Sequence, residues 1–122
     1  MKKIMEVKVP GYTLHGDYYL ADKVITNVDW EEACKTKKEI TLPNGKKVIA
    51  HILSKEELET IPEKERKCSN WYWTSSARGS GRHWIVYDSG DFGAYYVSSN
   101  DYYGGARLGF KNPFFLEEEQ QG

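Results

Sequence analysis

The chain has 122 residues, of which 39% are hydrophobic, 14% aromatic and 29% charged, a composition typical of one globular domain with an excess of tyrosine and tryptophan. Its 17 basic and 18 acidic residues give a formal net charge of -1, which disfavours a general affinity for nucleic acid or for an anionic membrane. A chain of this size buries roughly two thirds of the surface that its unfolded form exposes, enough for a core without metal or disulfide support.

The N-terminal sequence does not predict export. Only a few apolar residues follow the basic start before Lys8 and Pro10 interrupt them, so the continuous apolar segment of a secretion signal is missing. No apolar run is long enough for a transmembrane span. Cys34 and Cys68 can pair at most once, and small oxidised domains usually carry more cysteines. We therefore expect a cytoplasmic or phage-borne protein that makes no membrane contact.

The first part of the chain predicts two short strands and a helix. Alternating apolar residues predict a strand at 4–9 with a buried Met/Val face, and a Tyr-rich segment predicts another strand at 18–20. Asp29 can cap the first turn of a helix, and Glu32, three residues later, can bond back to the Asp29 amide. The residue types predict that this helix ends near Lys38.

A hairpin and a second helix follow. The Asn-Gly pair at 44–45 lies between two apolar runs and is the strongest short signal for a hairpin, because both residues tolerate positive φ. Ser54 has the residue type of a helix N-cap, and Glu57 is placed to be its capping-box partner. We expect this short helix to end before Pro62 and the charged run at 63–67 to be an exposed connection.

The C-terminal half predicts an aromatic-rich sheet, because apolar and aromatic runs there are separated by clusters of Gly, Ser, Asp and Asn. Its predicted strands lie at 71–75, 82–87, 92–97 and 106–110. Residues 114–116 predict a last strand or docking segment beside the N-terminal strand. We therefore expect a single domain over residues 1–116, followed by a solvated acidic tail at 117–122.

Five short motifs occur in a fixed order along the chain. They are VDWEEACK at 28–35, ILSKEEL at 52–58, YWTSS at 72–76, WIVYDSG at 84–90 and ARLGF at 106–110. Their order resembles the C-type-lectin-like fold in its bacterial and phage form. The similar proteins are formylglycine-generating enzymes and sulfatase-modifying factors, small bacterial paralogous domains on that fold, and the variable proteins of diversity-generating retroelements. The resemblance implies an α+β fold in which two short helices pack on a twisted antiparallel sheet and the chain ends lie together.

The chemistry that the resemblance implies needs residues that this sequence lacks. Formylglycine-generating enzymes hold copper with a pair of cysteines near their C-terminal end, and no cysteine follows Cys68 here. Calcium-dependent lectins use Glu-Pro-Asn or Gln-Pro-Asp triplets, which are missing, and Asn100 with Asp101 supplies too few oxygens for calcium. The three histidines lack the paired spacing of zinc ligands. We therefore expect no enzymatic activity, no cofactor and no metal.

The residue types between 71 and 110 instead favour a recognition surface. The sheet has more aromatic rings than its core needs, and stiff amphipathic tyrosines mixed with short polar residues are typical of binding surfaces. Alternation along a strand sends one of two neighbouring tyrosines to each face. The predicted binding residues are Arg78, Arg82, His83, Tyr87, Tyr95, Tyr96, Asn100, Asp101, Tyr102 and Tyr103.

The sequence thus predicts a non-enzymatic recognition module that binds a protein or glycan surface through this sheet and its loops. Two alternatives stay open at this point. One is a phage or mobile-element protein that inhibits a host factor by surface binding, and the other is a divergent enzyme of the sulfatase-modifying-factor group. The residues at 87–103 also match the set that adenine-directed diversification of Asn codons produces, although a constant paralogue fits the sequence equally well.

Overall fold

The computed structural model describes residues 2–4, 7–77, 82–96 and 104–117. Its helices are α1 (Trp30–Lys35), α2 (Lys55–Glu59) and α3 (Glu63–Arg66). Its strands are β1 (Lys2–Ile4), β2 (Tyr12–His15), β3 (Tyr18–Ala21), β4 (Ile25–Val28), β5 (Lys38–Thr41), β6 (Lys47–Ile52), β7 (Tyr72–Ala77), β8 (Arg82–Val86), β9 (Phe92–Tyr96), β10 (Gly104–Ala106), β11 (Leu108–Lys111) and β12 (Phe115–Glu117). Within this part of the chain, no helix is long and apolar enough to cross a membrane.

The strands form two five-stranded sheets and a small ribbon. Sheet I has the strand order β2-β3-β11-β6-β5, and sheet II has the order β4-β10-β7-β8-β9. The ribbon pairs β1 with β12 and brings the two chain ends together, which confirms the predicted last strand. A small domain of two sheets and short helices is compatible with the predicted α+β class. The prediction of one twisted antiparallel sheet differs from the structure, because the described strands form two large sheets and β10 runs parallel to β7.

The last predicted strand of the aromatic sheet is divided between the two sheets. Ala106 ends β10 in sheet II, and Leu108 begins β11 in sheet I. Arg107 lies buried between them, where its Nε donates to the Ala21 carbonyl at 2.9 Å and its guanidinium lies 5.5 Å from the centre of the Tyr72 ring. Because the apolar pattern continues through this point, periodicity gives no sign that the chain changes sheet.

Helix α1 begins at the predicted residue and ends earlier than predicted. The Asp29 carboxylate accepts a hydrogen bond from the Glu32 amide at 2.8 Å, as expected of an N-cap. The helix ends at Lys35 rather than near Lys38. Lys38 already pairs with Ala50 in the β5–β6 hairpin, and this pairing competes with a further helical turn.

The predicted hairpin and the second helix cap are confirmed. Strands β5 and β6 pair antiparallel on either side of the turn that contains Gly45, whose φ of 86° is in the left-handed region. Ser54 and Glu57 form the full capping box. The Glu57 amide donates to Ser54 Oγ at 3.1 Å, and the Ser54 amide donates to Glu57 Oε1 at 2.9 Å. Such a cap contributes about 1 kcal/mol.

The charged run at 63–67 is more than an exposed connection, which corrects the prediction. It contains α3, and Arg66 is buried beneath it. The Arg66 Nε donates to the Gly90 carbonyl at 2.8 Å, and one of its terminal nitrogens donates to the Ile61 carbonyl. Its guanidinium lies 4.5 Å from the centre of the Phe92 ring. The partners of Arg66 are backbone carbonyls, which no side-chain pattern reveals in advance.

The strand predicted at 4–9 overlaps the observed β1 at Ile4, and residues 5 and 6 lie outside the described part of the chain. Strand β1 is Lys2–Ile4, whereas the buried Val9 makes only an isolated bridge with Tyr12. The other predicted strands are confirmed within about two residues at each end, apart from the divided one. Glu117 belongs to β12, and residues 118–122 of the predicted tail lie outside the described part of the chain.

Sheet II is packed on both faces. Trp73 and Ile85 point into a core cluster that residues of both sheets and α1 share. Tyr72 and Val86, one position along each strand, point into a second cluster with Leu58 of α2. Each fully buried side chain of this kind contributes about 1.5–3 kcal/mol. Much of the aromatic content of the sheet therefore serves packing, which restricts display to its ends and edges.

Candidate recognition surface

Four of the predicted binding residues lie together at one end of β8 and β9. In this antiparallel pair Arg82 lies opposite Tyr96, and His83 lies opposite Tyr95. Strand β9 is the last strand in the described order of sheet II. We refer to these four residues as the β8–β9 surface.

The imidazole of His83 lies against the indole of Trp30 from α1. Their ring centres are 3.6 Å apart, with 35° between the ring planes. The indole is fixed in turn, because its Nε1 donates to the Thr74 carbonyl of β7 at 2.9 Å. Nδ1 of His83 is buried and has no hydrogen-bond partner among the described residues. Burial lowers the pKa of His83, so the ring is neutral at neutral pH.

The opposite face of the same strands lies beneath Lys55 of α2. Its Nζ is 4.7 Å from the centre of the Trp84 ring and 5.0 Å from that of Phe92. The same ammonium group forms an ion pair with Glu59 at 2.8 Å. Trp84 is half-buried by this arrangement. Cation–π contacts of this type contribute about 0.5–1 kcal/mol where they are partly exposed, so Lys55 holds the rings in place.

Tyr87 lies away from the four predicted binding residues of the β8–β9 surface. It follows the last residue of β8, roughly 16 Å along the strand from Arg82. Its ring lies over Gly93, where an added methyl group would be 2.4 Å from the Tyr87 hydroxyl oxygen. Tyr87 is 37% exposed and also closes the tight turn to Asp91, since its amide donates to the Asp91 carbonyl at 2.7 Å. It supports the hairpin at the far end of the sheet.

The remaining predicted residues lie outside the described part of the chain; they are Arg78, Asn100, Asp101, Tyr102 and Tyr103. The segments that contain them adjoin the β8–β9 surface in sequence. Residues 78–81 immediately precede Arg82, and residues 97–103 immediately follow Tyr96. The covalent chain therefore attaches both polar segments to the end of the sheet that carries the β8–β9 surface.

A separate cleft of about 430 Å³ is lined in part by Cys34 and His51. Burial raises the pKa of Cys34 to about 11, so this thiol is protonated at neutral pH and is a poor nucleophile. His51 Nδ1 is 2.8 Å from the Ile52 carbonyl, as expected of a histidine that is satisfied locally. Both cysteines are free thiols. Over the described ranges, no group of three or more His, Cys, Asp or Glu side chains is arranged to hold a metal ion.

The sequence did not predict that two helical residues support the candidate surface. Trp30 and Lys55 each contact a strand far away in the chain, and local patterns report only the capped helices on which they lie. Both residues lie within the first turn of a capped helix. Helical spacing with Ala33 and Cys34 predicts that Trp30 is buried, but it does not indicate which strand the ring contacts.

Comparisons of the chain with known protein families, with curated proteins and with solved structures find no match. The resemblance of its motifs to C-type-lectin-like proteins stays a prediction.

Proposed function

We propose that the chain is a non-enzymatic recognition module with a C-type-lectin-like fold. It binds a protein or glycan surface through the β8–β9 surface and the two segments that adjoin it. The proposal rests mainly on the register of β8 and β9, which aligns Arg82 with Tyr96 and His83 with Tyr95. Arg82, His83 and two tyrosines thereby share the end of one sheet, and arginine and tyrosine are enriched at the centres of binding surfaces.

The packing beneath the surface supports this proposal. Sheet II is covered on both faces, and Trp30 and Lys55 hold the strands from opposite sides. A binding surface on a rigid support loses little conformational entropy when a partner binds. Arg66 adds a further anchor, since it ties α3 to the β8–β9 hairpin through the Gly90 carbonyl.

Three features of the described residues support the C-type-lectin-like assignment. The chain ends pair in the β1–β12 ribbon, and the two motif-bearing helices have the caps that their sequences predict. The YWTSS motif lies on β7, the central strand of sheet II. The resemblance implies the two helices, the YWTSS strand and the paired chain ends, and these features occur together in one small domain.

The test is capture of a partner by variants of the β8–β9 surface. A Tyr95→Ala/Tyr96→Ala double variant should retain less than about one tenth of the partner that the wild type captures from a lysate or a glycan array, because hot-spot tyrosines each contribute about 1 kcal/mol or more. Ile49→Ala is the matched control, since Ile49 is 47% exposed on β6 in the other sheet. It should capture the partner as the wild type does.

Thermal unfolding separates a lost surface from a lost fold. The double variant and the control should both melt within about 4 °C of the wild type, which corresponds to about 1 kcal/mol for a chain of this size. Undiminished capture by a folded double variant would show that binding uses another surface. If the captured partner is a host enzyme whose activity falls on binding, the module acts as an inhibitor through the same surface.

A further inference from the structure

A cleft of about 390 Å³ is lined by residues of both sheets. It is bounded by residues of β2, β3, β5 and β11 from sheet I and by Ile25, the first residue of β4. Strand β4 is at the edge of sheet II opposite to β9. The cleft is therefore separate from the β8–β9 surface, and its volume lies in the usual range for small-molecule sites.

The inner part of the cleft is apolar. Leu108 forms a buried part of the lining, and the Tyr12 ring is held by Phe110 at a ring-centre distance of 5.5 Å. Ile25 is 45% exposed and also lines the cleft. A single exposed isoleucine is ordinary on a protein surface, but here it lines a concave site beside other apolar side chains. Covering it with an apolar ligand would remove its surface from water.

The polar lining of the cleft has an excess of positive charge. Lys23 and Lys38 both line it and are exposed, and neither belongs to an ion pair among the described residues. Asp22 is the one carboxylate among the described residues that line the cleft, and it accepts a hydrogen bond from the Thr13 hydroxyl at 2.6 Å. The two lysines outnumber the one carboxylate, so the charge of this lining favours an anionic group over a cationic one.

We propose that this cleft binds a small amphipathic carboxylate, with an aromatic ring or a short alkyl chain as its apolar body. The body packs on Ile25, Leu108 and the ring of Tyr12, and the carboxylate faces Lys23 and Lys38. Apolar lining with a few convergent polar groups is the usual design of a small-molecule site. The burial that raises the pKa of Tyr12 also keeps its hydroxyl neutral and able to donate a hydrogen bond.

The experiment is an NMR titration of the full chain with 3-phenylpropionate and, separately, with its uncharged amide, 3-phenylpropionamide. The carboxylate should give saturable shifts at the amides of Lys23, Ile25 and Lys38, with a Kd of about 1 mM for a ligand of this size. The uncharged amide should bind at least about five-fold more weakly, because it lacks the charge that faces the lysines. Equal binding of both compounds, or shifts that do not saturate, would overturn the proposal.

Variants assign the interaction to the cleft. Lys23→Gln/Lys38→Gln should weaken binding of the carboxylate at least about five-fold and leave binding of the amide unchanged. Lys64→Gln on α3 is the control and should change neither, since Lys64 is exposed and does not line the cleft. Ile25→Glu should abolish binding of the carboxylate by placing a like charge at the apolar wall. If Lys23→Gln/Lys38→Gln or Ile25→Glu binds the carboxylate with wild-type affinity, the proposal is overturned. The dispersion of the amide signals shows whether each variant is folded.

Discussion

Replacing Arg66 with methionine should loosen the support of the β8–β9 hairpin. Arg66 is only 9% exposed, and its guanidinium donates to the carbonyls of Gly90 and Ile61 while it lies on the Phe92 ring. Methionine has a similar length and fills similar space. The substitution therefore removes the hydrogen bonds and the charge while it leaves little cavity.

The expected loss follows from these contacts. A hydrogen bond from a charged donor contributes about 1.5–3 kcal/mol, so the bonds to Gly90 and Ile61 together contribute roughly 3–6 kcal/mol. Methionine also avoids the cost of burying a guanidinium, which offsets part of that loss. We expect the free energy of unfolding to fall by about 2–3 kcal/mol. For a chain of this length, that corresponds to a melting temperature lower by about 8–12 °C.

Urea unfolding followed by tryptophan fluorescence measures this change. Lys64→Met lies in the same helical turn and is exposed, so it should change the free energy of unfolding by less than about 0.5 kcal/mol. Arg66→Lys keeps a charge but not the two-nitrogen geometry, and it should give an intermediate loss. If Arg66→Met and Lys64→Met have the same stability, the anchoring role assigned to Arg66 is wrong.

Three further changes test other parts of the structure. Ser54→Ala removes the α2 cap and should lower the free energy of unfolding in urea by about 1 kcal/mol; an unchanged midpoint would contradict the capping box. Gly93→Ala forces the Tyr87 ring away and should lower the free energy of unfolding by about 1–3 kcal/mol. If the same loss persists in the Tyr87→Ala background, the clash lies elsewhere. Because burial lowers the pKa of His83, the folded state binds fewer protons than the unfolded state, and stability should fall as the pH drops below about 6.5. His83→Gln should reduce this dependence of stability on pH, measured as urea midpoints across this pH range. If the variant and the wild type show the same dependence, other groups cause it.

Local structure was predictable because its causes lie close together in the sequence. The Asp29 cap, the Ser54–Glu57 capping box and the hairpin turn with Gly45 each depend on residues within a few positions of one another. Their residue types narrow the backbone to one geometry with little help from the rest of the fold. The pairing of the chain ends was also predicted, although it rested on a short apolar run near the C-terminus.

The remaining features depend on contacts between distant residues. Arg107 lies where one apolar run passes from one sheet to the other, and it donates to the Ala21 carbonyl. The buried Arg66 donates to backbone carbonyls, which no side-chain pattern indicates. The candidate surface was predicted from amino-acid composition and from the alternation of side chains along a strand. Neither gives the register in which β8 and β9 pair. Register pairs Arg82 with Tyr96 and separates Tyr87 from both, so the predicted set divides into a cluster at one end of the sheet and a support at the other.

The most direct test of the recognition surface is a hydrogen-exchange footprint of the chain with and without its captured partner. We expect slower exchange on binding at the amides of residues 82–83 and 95–96, and no change along β6, Lys47–Ile52, in the other sheet. Protection of β6 with unchanged exchange at β8 and β9 would contradict this expectation.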